Sequence, residues 1–280
     1  MIITTPAVDG GYCPTTCPAS SSGDPHLHLA HGGVADFRGR NDTYYALLSA
    51  PGVHFAAKTT NTDFLLPRPQ LVHGSFFTAV AWVVRGVSGT VYGVASDANR
   101  VGVRVTNLKT GRLVADKEGV WQEWWEDGVR AYYKQSTVYV RANGWEVNAT
   151  RHPIYNRIAG PSQWRFDLAM RPLDGTGFET KHGASSATCH PHGLVGQSWD
   201  GDGVAVDGAL DDYTYRVDDA VVTTKAMAEG AIEGVAAEYA LKAPFSTAFA
   251  YSRFDEAKDA ACAYRNVALL KGKRRASTKS

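Results

Sequence analysis

The residues whose types and spacing can do chemistry fall in two stretches far apart in the chain. The first, Gly23-Asp24-Pro25-His26-Leu27-His28-Leu29-Ala30-His31-Gly32, holds three of the nine histidines. On a strand, alternate side chains share a face, so His26 and His28 would point the same way, as a two-imidazole metal site requires. His192, in Cys189-His190-Pro191-His192, is the residue to complete such a site. The plainer reading, which we favour, makes His28 and His31 polar surface or core residues and lets His26 pin a turn. No Glu-containing helical motif accompanies the histidines, so a zinc peptidase is not indicated.

The second stretch is acidic. Between Asp200 and Asp219 lie Asp200, Asp202, Asp207, Asp211, Asp212, Asp218 and Asp219 against the single Arg216, a local charge of −6. Such crowding costs free energy unless solvent or a cation relieves it. Carboxylate oxygens in a Gly-rich loop suit Ca2+, which takes about 6–8 oxygen ligands. The EF-hand spacing is not met: Asp200 and Asp202 fit it, whereas Val204 and the lack of a bidentate Glu do not. On composition alone a solvated acidic loop is the equal alternative. A third candidate, Trp121-Gln122-Glu123-Trp124-Trp125-Glu126-Asp127, can form a sugar-stacking platform, although filling a sandwich core and its rim is the expected use of such indoles.

These stretches need elements to hold them, and the middle of the chain reads as strands. Thr137–Ala142 and Trp145–Thr150 are β-prone runs flanking Asn143-Gly144, a dipeptide that accepts positive φ at both centres of a type I′ turn. Val101–Thr106 alternates, reaches a Lys109-Thr110-Gly111 turn and returns through Arg112–Ala115, a second hairpin. Further strands are expected at Tyr44–Leu48, Val53–Thr60, Ser75–Arg85, Thr90–Ser96, Val129–Lys134 and Gln163–Met170. Many short strands with turn signals predict a mostly β fold, an antiparallel sandwich or barrel-like single domain. One short helix is expected near 224–241, where Met227, Ala231, Val235 and Tyr239 recur every four residues. The domain is expected over 23–268, after a Pro/Thr/Ser-rich flexible lead-in over 1–22 and before a basic tail over 269–280. That tail ends in five cations with no acid and reads as solvated; phosphorylation of Ser277 or weak anion binding is the sharper alternative.

Composition narrows the class. The 280 residues are 44% hydrophobic and 20% charged, enough for a real core and unlike a disordered chain. The net charge of +1 gives no global attraction to nucleic acid or an acidic membrane. No run of about 18 apolar residues exists to span a bilayer. Cys13, Cys17, Cys189 and Cys262 allow three pairings, and Cys13-x-x-x-Cys17 lacks the second pair of a zinc knuckle. The even cysteine count and the acceptors Asn41-Asp42-Thr43 and Asn148-Ala149-Thr150 point to an oxidising, extracellular setting with disulfides and glycans. The N-terminus as given has neither the basic region nor the apolar core of a secretory leader, and a clipped or misplaced start would reconcile the two.

Two motifs together resemble the von Willebrand factor type D domain. Gly23-Asp24-Pro25-His26, followed by Gly32-Gly33-Val34-Ala35-Asp36-Phe37-Arg38-Gly39, is similar to the opening of that domain. His192-Gly193-Leu194-Val195-Gly196-Gln197-Ser198-Trp199-Asp200-Gly201-Asp202, with Leu210-Asp211-Asp212-Tyr213, resembles its closing loop. The plant root-cap / late-embryogenesis-like family shares this frame and is closer in pattern, at Gly193–Ser198 and at Ser252-Arg253-Phe254. The resemblance implies a β-rich extracellular module without catalytic residues, whose closing loop binds Ca2+ through positions matching Asp200, Asp211 and Asp212, with Asp202 as helper. Gln197 or Ser198 stands where the family has an Asn. His31 stands where the family has an Asp ligand, and Asp36 or Asp24 is the candidate substitute. Val195 replaces the family's loop cysteine, and Ala248 falls near a second lost one. A Cys17–Cys189 bridge is the implied replacement.

The expected function is therefore a non-enzymatic extracellular or cell-surface module, structural or adhesive, stabilised by one Ca2+ at Asp200, Asp202, Asp211 and Asp212. Its partners would be matrix proteins, surface proteins or glycans, with no nucleic acid and no membrane insertion. The alternatives are a metal-dependent hydrolase using His26, His28, His31 and His192, and a carbohydrate-binding module using Trp121, Trp124 and Trp125.

Overall fold

In the computed structural model of the chain, the described residues are 18–66, 70–100, 102–118, 121–173, 190–200, 204–205, 207–211, 216–217, 220–221 and 233–258. The fold is mostly β, as the sequence predicts. The strands run in chain order as β1 (Ala19–Ser22), β2 (His26–His28), β3 (Val34–Asp36), β4 (Thr43–Ala50), β5 (Val53–Leu66), β6 (Gln70–Arg85), β7 (Val91–Asp97), β8 (Val103–Asn107) and β9 (Leu113–Lys117). They continue as β10 (Trp121–Glu126), β11 (Val129–Lys134), β12 (Thr137–Ala142), β13 (Trp145–Pro153), β14 (Arg157–Ala159), β15 (Trp164–Pro172), β16 (Arg216–Val217), β17 (Ala220–Val221) and β18 (Ala240–Leu241).

Two open antiparallel sheets face each other. The first has the order β10-β11-β12-β13-β15-β1-β2-β3, and the second β18-β4-β5-β6-β7-β8-β9, with β14 beside β5. One core lies between them, holding Leu27, Phe37, Phe55, Phe77, Trp82, Val138, Trp145 and Phe166. Period-two alternation puts these residues inside: β11 runs buried at Val129, Ala131 and Tyr133 and half-buried at Arg130, Tyr132 and Lys134. The Asn143-Gly144 turn forms as expected, with φ of 46° and 79°, and pairs Ala142 with Trp145. The Asn143 amide donates to Gly52 O at 2.7 Å and Arg85 O at 3.0 Å, tying this hairpin to the second sheet.

Residues 53–57 of β5 are buried without a break. Strands covered on both faces lose the alternating pattern. The covering layer is the late segment 233–256, where Leu241 packs with Ala46 and Ala56 and the Phe249 ring lies 5.8 Å from His54.

Ala19–Ser22, at the end of the expected lead-in, form a strand that pairs with β15 on one side and β2 on the other. The one short helix expected near 224–241 is present as a single turn at Ala236–Tyr239, after which Ala240–Leu241 pair with β4; residues 222–232 lie outside the described residues.

Candidate metal centre

Three short strands build one wall of the site. Gly23 (φ 71°) turns β1 into β2, and His31 (φ 64°) with Gly32 (φ 95°) turns β2 into β3. The resulting register sets His26 directly opposite Asp36. Directly opposed residues share a face, so their side chains meet: His26 Nδ1 lies 2.5 Å from Asp36 Oδ1. An ionised carboxylate only accepts, so the proton sits on Nδ1 and His26 donates.

The acidic stretch comes to the edge of β3. Gly208 N donates to Val34 O at 2.9 Å and Asp36 N to Ala209 O at 2.8 Å. Val34 N donates to Asp207 Oδ1 at 2.8 Å. This lacing satisfies edge groups that would otherwise be open to another chain. It also delivers Asp211, whose amide donates to Asp36 Oδ2 at 2.5 Å. The ligating atoms of His26, Asp36 and Asp211 all lie within 4.8 Å of one another, and among the described residues no other set of three or more His, Cys, Asp and Glu does so.

Asp24 stands behind this group, in the turn between β1 and β2. It is buried, and its Oδ1 accepts from Ser75 N of β6 at 2.7 Å. Burial pushes its carboxyl up to about 7. The Ser75 amide opposes that rise, the Asp211 charge adds to it, and His26 and Arg38 oppose it. Gly74 makes room for the carboxyl: a Cβ there would stand 2.5 Å from Asp24 Oδ2.

The closing motif reaches the same corner from the other side. Leu47 is an extra residue in β4, between the pairs Ala46–Ala56 and Leu48–Phe55. Leu194 N donates to Ala46 O at 2.9 Å and Val195 N to Leu47 O at 3.0 Å, which seats the Gly193–Ser198 turn on this bulge. Ser198 Oγ then donates to Val195 O at 2.7 Å and accepts from Ala30 N at 3.0 Å, joining the closing motif to the opening one.

The donor set fits a hard cation. The Asp36 and Asp211 carboxyls converge with His26, and the buried Asp24 carboxyl is near enough to feel the Asp211 charge. Their oxygens are the ligand type Ca2+ takes, and His26 holds Asp36 in position by its Nδ1 proton.

Of the acidic residues expected to bind metal, Asp211 lies in this group. Asp200 is exposed, and Asp202 and Asp212 lie outside the described residues. The four expected histidines take different places. His28 is exposed, on the face of β2 that carries His26, and His31 occupies a left-handed turn. His192 Nε2 lies 3.1 Å from Glu233 Oε2, its Nδ1 accepts from Gly193 N at 2.9 Å, and its ring stacks on Tyr251 at 4.4 Å. Trp124 is buried against Tyr92 at 5.1 Å, Trp125 is exposed beneath Arg130, and Trp121 pairs with Lys134 in β10. All four cysteines lie outside the described residues.

The His26–Asp36 pairing is the feature that residue-by-residue reading missed. Its signal is present in the sequence: His31-Gly32-Gly33 is a turn between two short runs, and folding there sets residues 26 and 36 opposite each other. No protein-family model and no curated protein matches the chain.

Proposed function

We propose that this chain is a non-enzymatic module of the extracellular space or cell surface, used structurally or in adhesion, in which one Ca2+ staples the opening and closing stretches. Asp36 and Asp211 are the central ligands, Asp24 is the carboxyl drawn toward the ion, and His26 orients Asp36. Asp200, Asp202 and Asp212 are the candidates for further oxygen ligands. The single observation that carries this reading is the lacing of 207–211 along β3, which sets Asp211 against Asp36 across 175 residues of sequence. A bound cation there supplies charge compensation and crosslinking. The chain's own residues do the rest: Ser75 and Gly74 fix Asp24, and Ser198 ties the two motifs together. The likeness to type D and root-cap-like domains supports the same reading. Matrix proteins, surface proteins and glycans are the partner classes proposed.

Chelation tests it. An ion bound only to the native state stabilises by about 2.7 kcal/mol at one hundred times its Kd, which for a chain of this size is about 5–10 °C in Tm. We expect EDTA to lower Tm by that amount and added Ca2+ to restore it. An identical melting curve in EDTA and Ca2+ would overturn the calcium assignment.

A further inference from the structure

The outward face of the first sheet carries one row of residues with an unusual order. Across neighbouring strands, Tyr132 pairs with Tyr139, Tyr139 with Asn148, Asn148 with Ala169, and Ala169 with Ser20. All five are half-buried, while Val147 and Ala149, on either side of Asn148, are buried in the core. The Tyr132 and Tyr139 rings stack with centroids 4.6 Å apart and planes 7° apart. Since stacked rings on adjacent strands stand like plates along the row, the second face of Tyr139 looks toward Asn148. On the far side, Ala169 and Ser20 are small and half-buried. The Asn148 side-chain amide makes no hydrogen bond among the described residues. Asn148-Ala149-Thr150 is an N-glycosylation acceptor.

We infer that Asn148 carries an N-linked glycan whose first sugar packs on the second face of Tyr139 and lies over Ala169 and Ser20. The inference rests on the extracellular reading above, because the modification needs a secretory route. The side-chain nitrogen of Asn148 attacks the anomeric carbon of a lipid-pyrophosphate-linked oligosaccharide. A carbon–nitrogen bond forms, the carbon–oxygen bond to the pyrophosphate breaks, the nitrogen gives up one proton to a base of the transferase, and lipid pyrophosphate leaves. No electron is exchanged. The step precedes folding, since β13 pairs with β12 and β15 on its two sides. In the folded chain the sugar meets an aromatic plate on one side and small side chains on the other, where its C–H face and ring match the tyrosine π-surface.

The test uses the full chain purified from its own cells, treated with peptide N-glycosidase in heavy-oxygen water and sequenced by mass spectrometry. We expect Asn148 to return as heavy-oxygen Asp in the natural chain and in Thr150→Ser, and to be absent as such from Thr150→Ala and Asn148→Gln. We also expect glycan removal from the folded chain to lower Tm by about 2–4 °C, and by less in Tyr139→Ala. Modified Asn41 with bare Asn148 overturns the inference and leaves the extracellular reading standing. Both asparagines bare overturns it as well, and the presence of the chain in the medium or in the cytosol then decides the extracellular reading separately.

Discussion

Asp24 is the residue whose charge state couples the site to pH. Its folded pKa, pushed from 3.8 to about 7, means that the native state prefers the protonated acid. The contribution is therefore fully present below about pH 4 and is lost as pH rises through 7, on the order of 4 kcal/mol across that window. His54 acts in the opposite sense. It is fully buried, and the desolvation drives its pKa from 6.5 to about 3, so stability falls as pH drops through that window. The two slopes overlap and partly cancel in the metal-free chain. Asp24→Asn removes the first and keeps the second. Urea melts of metal-free protein should show Asp24→Asn more stable than the parent at pH 8, with the difference closing toward pH 4. Equal stability at pH 8 would show that the Asp24 carboxyl is not held against its charge. Asp36→Asn and Asp211→Asn should each abolish the rise in Tm on adding Ca2+, because each removes a central ligand oxygen. A full calcium response in either variant contradicts the ligand assignment.

The elements that position the site are held by a few backbone-critical places. Gly193 has φ of 115°, and a Cβ there would stand 2.6 Å from the backbone of Leu47. Gly193→Ala should therefore lose about 2–3 kcal/mol and partly unseat the closing turn from β4. The loss reads as a lower urea midpoint with an unchanged slope; an unaltered midpoint would mean that the turn does not need that close approach. Asn143→Ala removes two hydrogen bonds between sheets and a residue suited to positive φ, and should cost about 1–2 kcal/mol by the same measurement. Parent-like stability in that variant would show the link to Gly52 and Arg85 to be dispensable.

The same elements show what the sequence makes legible. The β12–β13 and β8–β9 hairpins are readable because Asn143-Gly144 and Lys109-Thr110-Gly111 are local turn signals with local consequences. β1 to β3 are harder to see: each is three or four residues long, and Ser20, Ser22, His26 and His28 make two of them polar on one face. What makes them strands is long-range pairing with β15, which no local pattern encodes. The short helix is placed by packing for a related reason. Tyr239 and Leu241 are apolar because they cover β4 and β5, and after one turn the chain joins β4 as a strand.

At the scale of the molecule, the architecture is two sheets with a third, late layer over β4 and β5. The closing residues lock that layer down. Arg253 N donates to Ser49 Oγ at 2.9 Å, Gly52 N donates to Phe254 O at 3.0 Å, and Arg85 pairs with Asp255 at 2.9 Å. His192 sits at the join. It bridges to Ser49 of β4 and meets Glu233 and Tyr251 of the late layer. The opening motif, the closing motif and the late layer thus converge on β4 and its neighbours, although they are scattered through the sequence. Glycine and aspartate counts alone suggest an acidic loop in water; the backbone pairing of 207–209 with β3 is what brings Asp211, half-buried, against Asp36.

Whether one Ca2+ joins the two stretches is decided by calcium stoichiometry, measured by equilibrium dialysis and elemental analysis on the full chain beside Asp36→Asn and Asp211→Asn. We expect one calcium per chain in the parent and none in either variant, with all three folded by circular dichroism. A calcium-free parent, or variants that retain the ion, would contradict it.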